Sequence, residues 1–336
     1  MEPKIKRGPA MRDVAAAAGV SAQTVSRVLS DHPNVQEATR RRVLAAVEDL
    51  GYRRNNTARA LVTGRSKTIG VLTLATNYYS RSSLALGIEL GAREAGYTVN
   101  SVTSDLSVQA LTDAVSRLVL QGVDGLIIAT PLRDAAPKVR QLTARIPTVT
   151  TDGSSGSGDG LVGVDQDIAA VLATRHLLDL GHRTVWHVAG PSDWSDAASR
   201  LDSWRRTLTE AGREVPPELH GDWSPESGYR NGLILGRMPE VTAILVASDE
   251  MAFGVIRALS ELGRRIPEDV SVVGIDDIDL AAYANPPLTT IRQSFEDTGR
   301  RAVLHLLAQI ANPDMGDYPE LVAPTLIIRG STAPPR

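Results

Sequence analysis

Residues 12–30 read RDVAAAAGVSAQTVSRVLS, and this stretch predicts two short helices joined by a tight turn. Apolar side chains at spacings of three and four residues give the first helix one inward face: Val14, Ala17 and Ala18. Gly19 follows with the conformational freedom that a turn requires. Ser21 is placed to cap the second helix by accepting a hydrogen bond from a backbone N–H of its first turn. The pattern is typical of a helix-turn-helix.

The second helix of this motif has two different faces. Its apolar residues are expected to pack inward: Val25, Val28 and Leu29. Gln23, Thr24 and Arg27 then point outward, and glutamine and arginine match the donor and acceptor patterns of base edges in the major groove. The alternative is a helical hairpin with an ordinary polar surface.

Positive charge is concentrated at the N-terminal end. Residues 1–65 carry twelve basic and six acidic side chains, a net charge of +6. The whole chain of 336 residues carries −3, which leaves −9 for the remainder. This distribution fits attraction to phosphates confined to one end of the molecule, although surface charge also varies by chance.

The composition limits the class of protein. With 42% hydrophobic and 22% charged residues, the chain can bury a sizeable core in two or three domains. It has no cysteine, so we expect neither disulfides nor thiolate metal sites. No run of 18 apolar residues predicts a membrane span, and the first residues do not resemble a signal peptide. We therefore expect a cytoplasmic protein.

A third helix is predicted from about Glu37 to Leu50, with an inward face of Val43, Ala46, Val47 and Leu50. Residues 53–67 are polar and predict a linker around a short helical kernel. Beyond them, apolar β-rich runs alternate with helical patterns. The predicted strands are 68–74, 98–103, 125–129, 148–151, 184–189, 243–246 and 270–275. This order predicts parallel sheets covered by helices in two similar lobes, with ligands bound beyond the carboxyl ends of the strands.

Seven segments form a recognisable set: DVAAAAGVSAQTVSRVLS, NNTARAL, AGPSDWSDAASRLDSWRRTL, GDWSPESGY, VASDEMAFGVIRAL, DVSVVGIDD and NPPLTTIRQSF. Together they resemble the lac repressor and galactose repressor family of bacterial transcription regulators over nearly the full length of the chain. The resemblance implies an α/β protein with an all-α helix-turn-helix head, a hinge helix and a two-lobed body like that of periplasmic sugar-binding proteins.

The resemblance also implies how the chain is divided. The head would cover residues 10–54, the hinge helix and linker 55–66, and the effector-binding and dimerisation body 67–332. Within the body, the first lobe would hold about 67–163 and 295–322, and the second about 165–291 and 324–332.

The family pattern implies which residues of the head contact DNA. It places Ala22, Gln23 and Arg27 at base-reading positions. Three neighbouring hydroxyl groups can donate to phosphates or bases: Ser21, Thr24 and Ser26. Because one head reads only a few base pairs, a homodimer on a pseudo-palindromic operator is expected.

The hinge contributes a second set of DNA contacts by resemblance. Leu61 of each subunit would enter the minor groove and wedge open a central base step, which kinks the DNA. Asn55 and Ala58 would line that groove. The alternative is that Leu61, an apolar residue in a polar segment, packs on the body.

Sugar sites combine aromatic side chains, which stack on apolar C–H faces, with planar polar groups that bond adjacent hydroxyls. Trp194 and Trp223 lie in polar, loop-like stretches and fit exposed positions in a cleft. Trp186 and Trp204 fall in a predicted strand and helix, where core packing is the better interpretation.

The polar candidates come partly from the resemblance. It identifies Arg200 as the main hydroxyl-binding arginine and Asp276 as an effector-binding acid. Other candidates follow predicted strands at their carboxyl ends: Ser248, Asp249 and Asp152. For each acid the alternative is a helix cap or a loop residue, and Arg200 could pair with an acid and only shape the pocket.

These features favour a sequence-specific repressor whose operator affinity is controlled by a small sugar. The segment GDWSPESGY favours a disaccharide or a β-glycoside. The alternative is the same scaffold with a purine-type corepressor, which would need aromatic stacking in the first lobe from Tyr78 and Tyr79.

Other classes of function fit less well. No nucleophile, base and orienting group can be assembled, so we do not expect an enzyme. A secreted sugar-binding protein is disfavoured by the lack of a signal peptide. We expect no metal or other cofactor, because the acids Asp276, Asp277 and Asp279 have no histidine or glutamate at ligand spacing.

Overall fold

The computed structural model describes residues 9–30, 32–52, 64–74, 76, 78–105, 107–130, 136–152, 160–313 and 319–336. The chain forms two compact units, Met1–Ser66 and Lys67–Arg336. None of the helices within the described ranges is long and apolar enough to cross a membrane.

The described part of the first unit contains the helices α1 (Met11–Ala18), α2 (Ala22–Leu29) and α3 (Glu37–Asp49). Gly19 ends α1 in the left-handed conformation, with φ of 61°. The Ser21 side chain accepts a hydrogen bond from the backbone N–H of Thr24 at 3.1 Å, which confirms the predicted cap. Apolar side chains from all three helices form one core: Val14, Ala18, Val25, Val28, Val43 and Ala46.

Two side chains of the first unit lie differently from the sequence prediction. In α1, Ala15 is buried beside Val14, whereas Ala17 is exposed. Leu50 is 39% exposed, because α3 ends at Asp49 and Leu50 is already its C-terminal cap.

The first lobe of the second unit is built on a parallel sheet in the order β2-β1-β3-β4. Its strands are β1 (Thr68–Leu74), β2 (Thr98–Ser104), β3 (Gly125–Ala129) and β4 (Thr148–Thr150). A short parallel pair, β5 (Val162–Val164) and β11 (Glu320–Val322), continues the sheet through a bridge between Thr150 and Leu161. Its helices are α4 (Tyr79–Glu94), α5 (Val108–Leu120), α6 (Ala136–Thr143) and α11 (Phe295–Ala311).

The second lobe contains a six-stranded sheet in the order β12-β10-β9-β8-β6-β7. Its strands are β6 (Trp186–Ala189), β7 (Leu219–His220), β8 (Ala243–Val246), β9 (Ser271–Asp276), β10 (Thr289–Arg292) and β12 (Thr325–Ile327). All pairs are parallel except β10 with β12 at the edge. Its helices are α7 (Gln166–Asp179), α8 (Ser195–Glu210), α9 (Pro225–Leu235) and α10 (Asp249–Glu261).

The predicted alternation of strands and helices is confirmed, and the predicted bounds of β1, β3 and β8 match. Trp204 is fully buried, as expected, and its indole N–H donates to the Val185 carbonyl at 3.0 Å. Trp186 is partly buried against the core of the second lobe.

In the part of the chain that the structure describes, three crossovers connect the two lobes: after β5, after β10 and after β11. These crossovers lie side by side. The Asp165 N–H of the first donates to the Val322 carbonyl of the third at 3.0 Å. Gln166 and Gln293 join the first and the second through their side chains at 2.9 Å. These contacts therefore lie where the chain passes from one lobe to the other.

Candidate functional site

The exposed surface of α2 carries the residues that the sequence proposed for DNA contact. Gln23 and Arg27 lie one helical turn apart, and both are exposed, as is Ala22. Thr24 and Ser26 are partly buried. The hydroxyls of Ser21 and Thr24 are 2.9 Å apart, so the helix cap already uses part of their hydrogen-bonding capacity. Asn55, Ala58 and Leu61 lie outside the described residues.

A cavity lies between the two lobes at the carboxyl ends of their strands, where parallel α/β folds bind ligands. Its interior offers about 50 Å³ to the centre of a water-sized sphere, and all its space not filled by atoms, open solvent included, amounts to about 610 Å³. Six of the seven sequence candidates line it: Asp152, Trp194, Arg200, Trp223, Ser248 and Asp276.

Arg200 lies in the first half of α8 with only 4% of its surface exposed. Its Nε donates to Oε1 of Gln166 at 2.8 Å, and its Nη1 donates to the Ala247 carbonyl. The guanidinium carbon is 5.6 Å from the ring centroid of Trp223, which is within cation–π range. The arginine is therefore held rigidly, with its plane set by neighbours on two elements.

Asp276 ends β9, and 6% of it is exposed. One carboxyl oxygen accepts from Nε2 of Gln293 at 2.6 Å. Burial raises the pKa of Asp276 well above its usual range, the nearby carboxyls of Asp249 and Glu250 add to this, and Arg200 opposes it. The backbone φ of Asp276 is 125°, a strained value for an aspartate of the kind that concentrates at functional sites.

Of the four aromatic side chains among the described lining residues, three form one cluster, and the fourth is Phe295. The ring centroids of Trp194 and Trp223 are 5.5 Å apart with planes at 68°, and Tyr78 of the first lobe meets Trp194 edge-on at 6.2 Å. The tryptophans are only 8% and 7% exposed. The sequence predicts both tryptophans at exposed positions in a cleft. Their exposure is lower than this, because the two indoles and Tyr78 cover one another.

Trp223 is held in an unusual local geometry. Its φ is 71°, and its ring lies directly on Gly190, where a Cβ would be 2.3 Å from Cη2. Among the residues that the structure describes, its buried indole N–H has no hydrogen-bond partner, which costs free energy unless a ligand or water supplies an acceptor.

The two residues that follow β8 have different roles. Ser248 lines the cavity and also caps α10, since its hydroxyl oxygen accepts from the Met251 N–H at 3.2 Å. Asp249 is outside the cavity lining, which corrects its expected effector contact. Its carboxyl oxygens accept from the Thr290 hydroxyl at 2.6 Å and the Ile278 N–H at 3.0 Å. Burial raises the pKa of Asp249 to about 7.

Asp152 forms a buried ion pair within the first lobe. Its partner is Arg81 of α4, whose Nη1 lies 2.6 Å from Oδ2, and the two side chains are 6% and 7% exposed. Sequence reasoning missed Arg81, although it shortly follows the carboxyl end of β1, the signal that identified other candidates. Gln166 after β5 and Gln293 after β10 were missed as well, because neither of these two strands is predicted from the sequence.

The acidic segment after β9 is engaged in ion pairs. Asp277 accepts from Nε of Arg292 and from Nη2 of Arg329, both at 2.6 Å. Within the described ranges, no three histidine, cysteine or acidic side chains come together in a way that could hold a metal ion.

Two family models match the chain. Residues 10–55 match "Bacterial regulatory proteins, lacI family", and residues 174–332 match "Periplasmic binding protein-like domain". The ribose operon repressor of Escherichia coli (strain K12) is 32% identical over 326 residues, 96% of this chain and 99% of the relative. The lactose operon repressor of the same strain is 36% identical over 328 residues, 96% of this chain and 90% of the relative.

Two solved structures are similar to this chain over most of its length. The lac repressor dimer bound to operator and the anti-inducer ONPF has a TM-score of 0.91 at 34% identity, over 97% of this chain and all of that one. A complex of the transcriptional regulator CelR with cellobiose has a TM-score of 0.71 at 30% identity, covering 96% of this chain and 99% of that one.

Proposed function

The chain belongs to the LacI family of bacterial regulatory proteins and is an effector-regulated transcriptional repressor, and from this premise we propose that its effector is a sugar bound between the lobes. One observation carries the proposal. A buried arginine and a buried acid, Arg200 and Asp276, line the same cavity as two tryptophans set at a steep angle to each other. Aromatic faces beside planar polar groups are the combination that sugar binding requires.

Each side chain takes a separate role in this proposal. The indoles of Trp194 and Trp223 contact the apolar C–H faces of the sugar. Arg200 and Asp276 bond adjacent hydroxyls, while Ser248 and Asp152 are further polar partners from the two lobes. A disaccharide or β-glycoside remains our preferred class, since the CelR structure holds cellobiose and another relative is named for the lactose operon.

The rest of the chain converts ligand binding into a change in DNA affinity. We assign residues 10–54 to the DNA-binding head, 55–66 to the hinge and 67–332 to the effector-binding body. The dimer places two heads on a pseudo-palindromic operator, with base contacts from Gln23 and Arg27, and acts in the cytoplasm where that DNA lies. Sugar binding favours a lobe arrangement in which the hinge helices separate, so operator affinity falls.

A purine-type corepressor fits this cavity less well. Tyr78 and Phe295 line it, whereas Tyr79 lies outside the described lining and packs edge-on against Phe295, with centroids 6.3 Å apart. Tyr78 in turn meets Trp194 edge-on, which leaves no parallel-sided slot between them for a flat ring. The two candidate ligands also predict opposite changes in operator affinity, since an inducing sugar weakens operator binding and a corepressor strengthens it.

The experiment begins with thermal unfolding of the full chain in the presence of ribose, lactose, cellobiose, other mono- and disaccharides, and hypoxanthine. A ligand that binds only the folded state raises the melting temperature. An operator is then selected from a random DNA library, and its affinity is measured by fluorescence anisotropy with and without each hit.

We expect a sugar to raise the melting temperature and to weaken operator binding. Arg200→Gln should abolish both effects while retaining ligand-free operator affinity. Arg183→Gln is the matched control, because Arg183 is an exposed arginine of the same lobe that pairs with Glu214 on the surface. Stabilisation by hypoxanthine alone, with tighter operator binding, would refute the proposal.

A further inference from the structure

The first-lobe wall of the cavity carries a buried ion pair, Arg81 with Asp152. Nη1 of Arg81 donates to both carboxyl oxygens of Asp152, at 2.8 and 2.6 Å, and to the Ala129 carbonyl at 3.3 Å. The Arg81 guanidinium also lies 5.2 Å from the ring centroid of Trp194, a residue of the second lobe. The cation is therefore neutralised and stacked before any ligand arrives.

Two guanidinium groups are among the described residues that line the cavity, those of Arg81 and Arg200. Both are already engaged, Arg81 by Asp152 and Arg200 by Gln166 and the Ala247 carbonyl. A phosphate or carboxylate on a ligand would have to displace a buried partner to reach either arginine.

Two buried donors at the cavity, one from each lobe, lack acceptors within the described ranges. Nε of Arg81 and Nε1 of Trp223 have no hydrogen-bond partner there, and each residue is only 7% exposed. A hydroxyl group can accept from such a donor and at the same time donate to a carboxylate. A neutral hydroxyl can therefore satisfy an unpaired N–H group and a lining carboxylate at once, whereas a carboxylate or a fully ionised phosphate has no proton to donate.

We infer that the Arg81–Asp152 pair makes the cavity selective for an uncharged, hydroxyl-rich ligand and excludes phosphorylated or carboxylated sugars. The inference rests on the proposed function, because it specifies which class of sugar the cavity admits. Asp152 acts by neutralising Arg81, and Arg81 acts as a donor to a sugar oxygen.

The test compares matched pairs of probes by isothermal titration calorimetry on the full chain in phosphate-free buffer. The pairs are ribose with ribose 5-phosphate, glucose with glucose 6-phosphate and with glucuronate, and lactose with lactose 6′-phosphate. In every pair that binds, the neutral member should bind at least about tenfold more tightly. A charged member that binds as tightly as its neutral counterpart overturns the inference and leaves the proposed function standing. If no member of any pair binds, the proposed function fails and the inference fails with it.

A variant separates a selective role for the pair from a merely structural one. Asp152→Asn frees the Arg81 cation, so the ratio of neutral to phosphorylated binding should move at least about tenfold toward the phosphorylated sugar. Glu214→Gln, which breaks the exposed pair of Glu214 with Arg183, should leave the ratio unchanged. An unaltered ratio in folded Asp152→Asn would overturn the assignment to this pair, and the wild-type comparison decides the inference even if that variant fails to fold.

Discussion

The side-chain amide of Gln166 donates to the side-chain carbonyl oxygen of Gln293 at 2.9 Å, and this bond joins two crossovers between the lobes. The bond is the centre of a longer chain. Gln166 also accepts from Arg200, and Gln293 donates to Asp276. A ligand that engages Arg200 and Asp276 therefore acts on both ends of a polar chain that crosses the pivot of the two lobes.

We expect Gln166→Met to weaken the coupling between the sugar and the operator. Loss of a buried hydrogen bond of this kind costs about 1 kcal/mol, so the operator-affinity change at saturating sugar should shrink by about fivefold. Fluorescence anisotropy of the operator with and without saturating sugar measures this change in affinity. Gln121→Met is the control, since Gln121 accepts from Asn100 in an exposed amide pair away from the pivot. Equal ligand effects in the two variants would contradict the coupling role.

Asp249 should give the stability of the protein a pH dependence. Its pKa of about 7 lies above that of an unfolded aspartate, about 3.9, because burial disfavours the charged form and the carboxyls of Asp277 and Glu250 add to this. Between these two pKa values the folded state binds more protons than the unfolded state. The stabilisation of the folded protein by Asp249 is therefore complete below about pH 4 and is lost as the pH rises through about 7. The difference of about 3 pKa units corresponds to about 4 kcal/mol.

Asp249→Asn should lack this dependence, since an amide can donate to Thr290 and accept from the Ile278 N–H. The free energy of unfolding of both proteins is measured with urea from pH 4.5 to 8, in steps of about half a pH unit. As the pH rises, the wild type should lose stability relative to the variant. His187, whose pKa burial lowers to about 4, titrates in both proteins and cancels in the difference. Parallel curves would show that Asp249 is charged in the folded state at pH 5.

Gly190→Ala should displace Trp223 from the cavity wall. Because the new Cβ would lie 2.3 Å from Cη2 of Trp223, the ring must move, and we expect sugar affinity to fall by about tenfold or more with a change in tryptophan emission. Gly330→Ala is the control, since its nearest neighbour is Cδ of Pro287 at 3.3 Å. Unchanged affinity and emission would mean that the indole position does not matter for binding.

Arg27→Ala should cost about 1–3 kcal/mol of operator binding and relax the preference at one base position. The side chain is exposed on α2, so the melting temperature should stay the same. Arg42→Ala removes an exposed arginine of α3 and should affect operator and unrelated duplexes alike. Selection of binding sites from a random DNA library with each variant measures the difference. If the Arg27→Ala variant keeps the base preference of the wild type, Arg27 does not read a base.

Leu61→Ala should weaken operator binding far more than binding to a scrambled duplex, because the proposed wedge acts only on the kinked operator. Anisotropy with both duplexes measures the two losses. Leu120→Ala replaces a leucine that is 86% exposed in α5 and should change neither. Equal losses of affinity for both duplexes would show that Leu61 does not wedge open a base step of the operator.

The sequence by itself determined the class of protein and most of the order of elements, although it did not predict the short strands β5, β7, β10, β11 and β12. Helical spacing and a serine cap identified α1 and α2, and the alternation of apolar runs with helical patterns identified the parallel sheets, because these signals are local and repeat with the period of each element. Candidates at strand ends, such as Ser248 and Asp152, could also be found, since parallel topology brings those ends to one edge.

Only the tertiary structure decided which of these side chains face the cavity. Asp249 follows β8 just as Ser248 does, yet it turns away to Thr290 and Ile278. Arg81 and Asp152 are 71 residues apart, and Gln166 and Gln293 are 127 apart. Such partners depend on how the lobes are packed and how three crossovers meet, which no local pattern in the chain encodes.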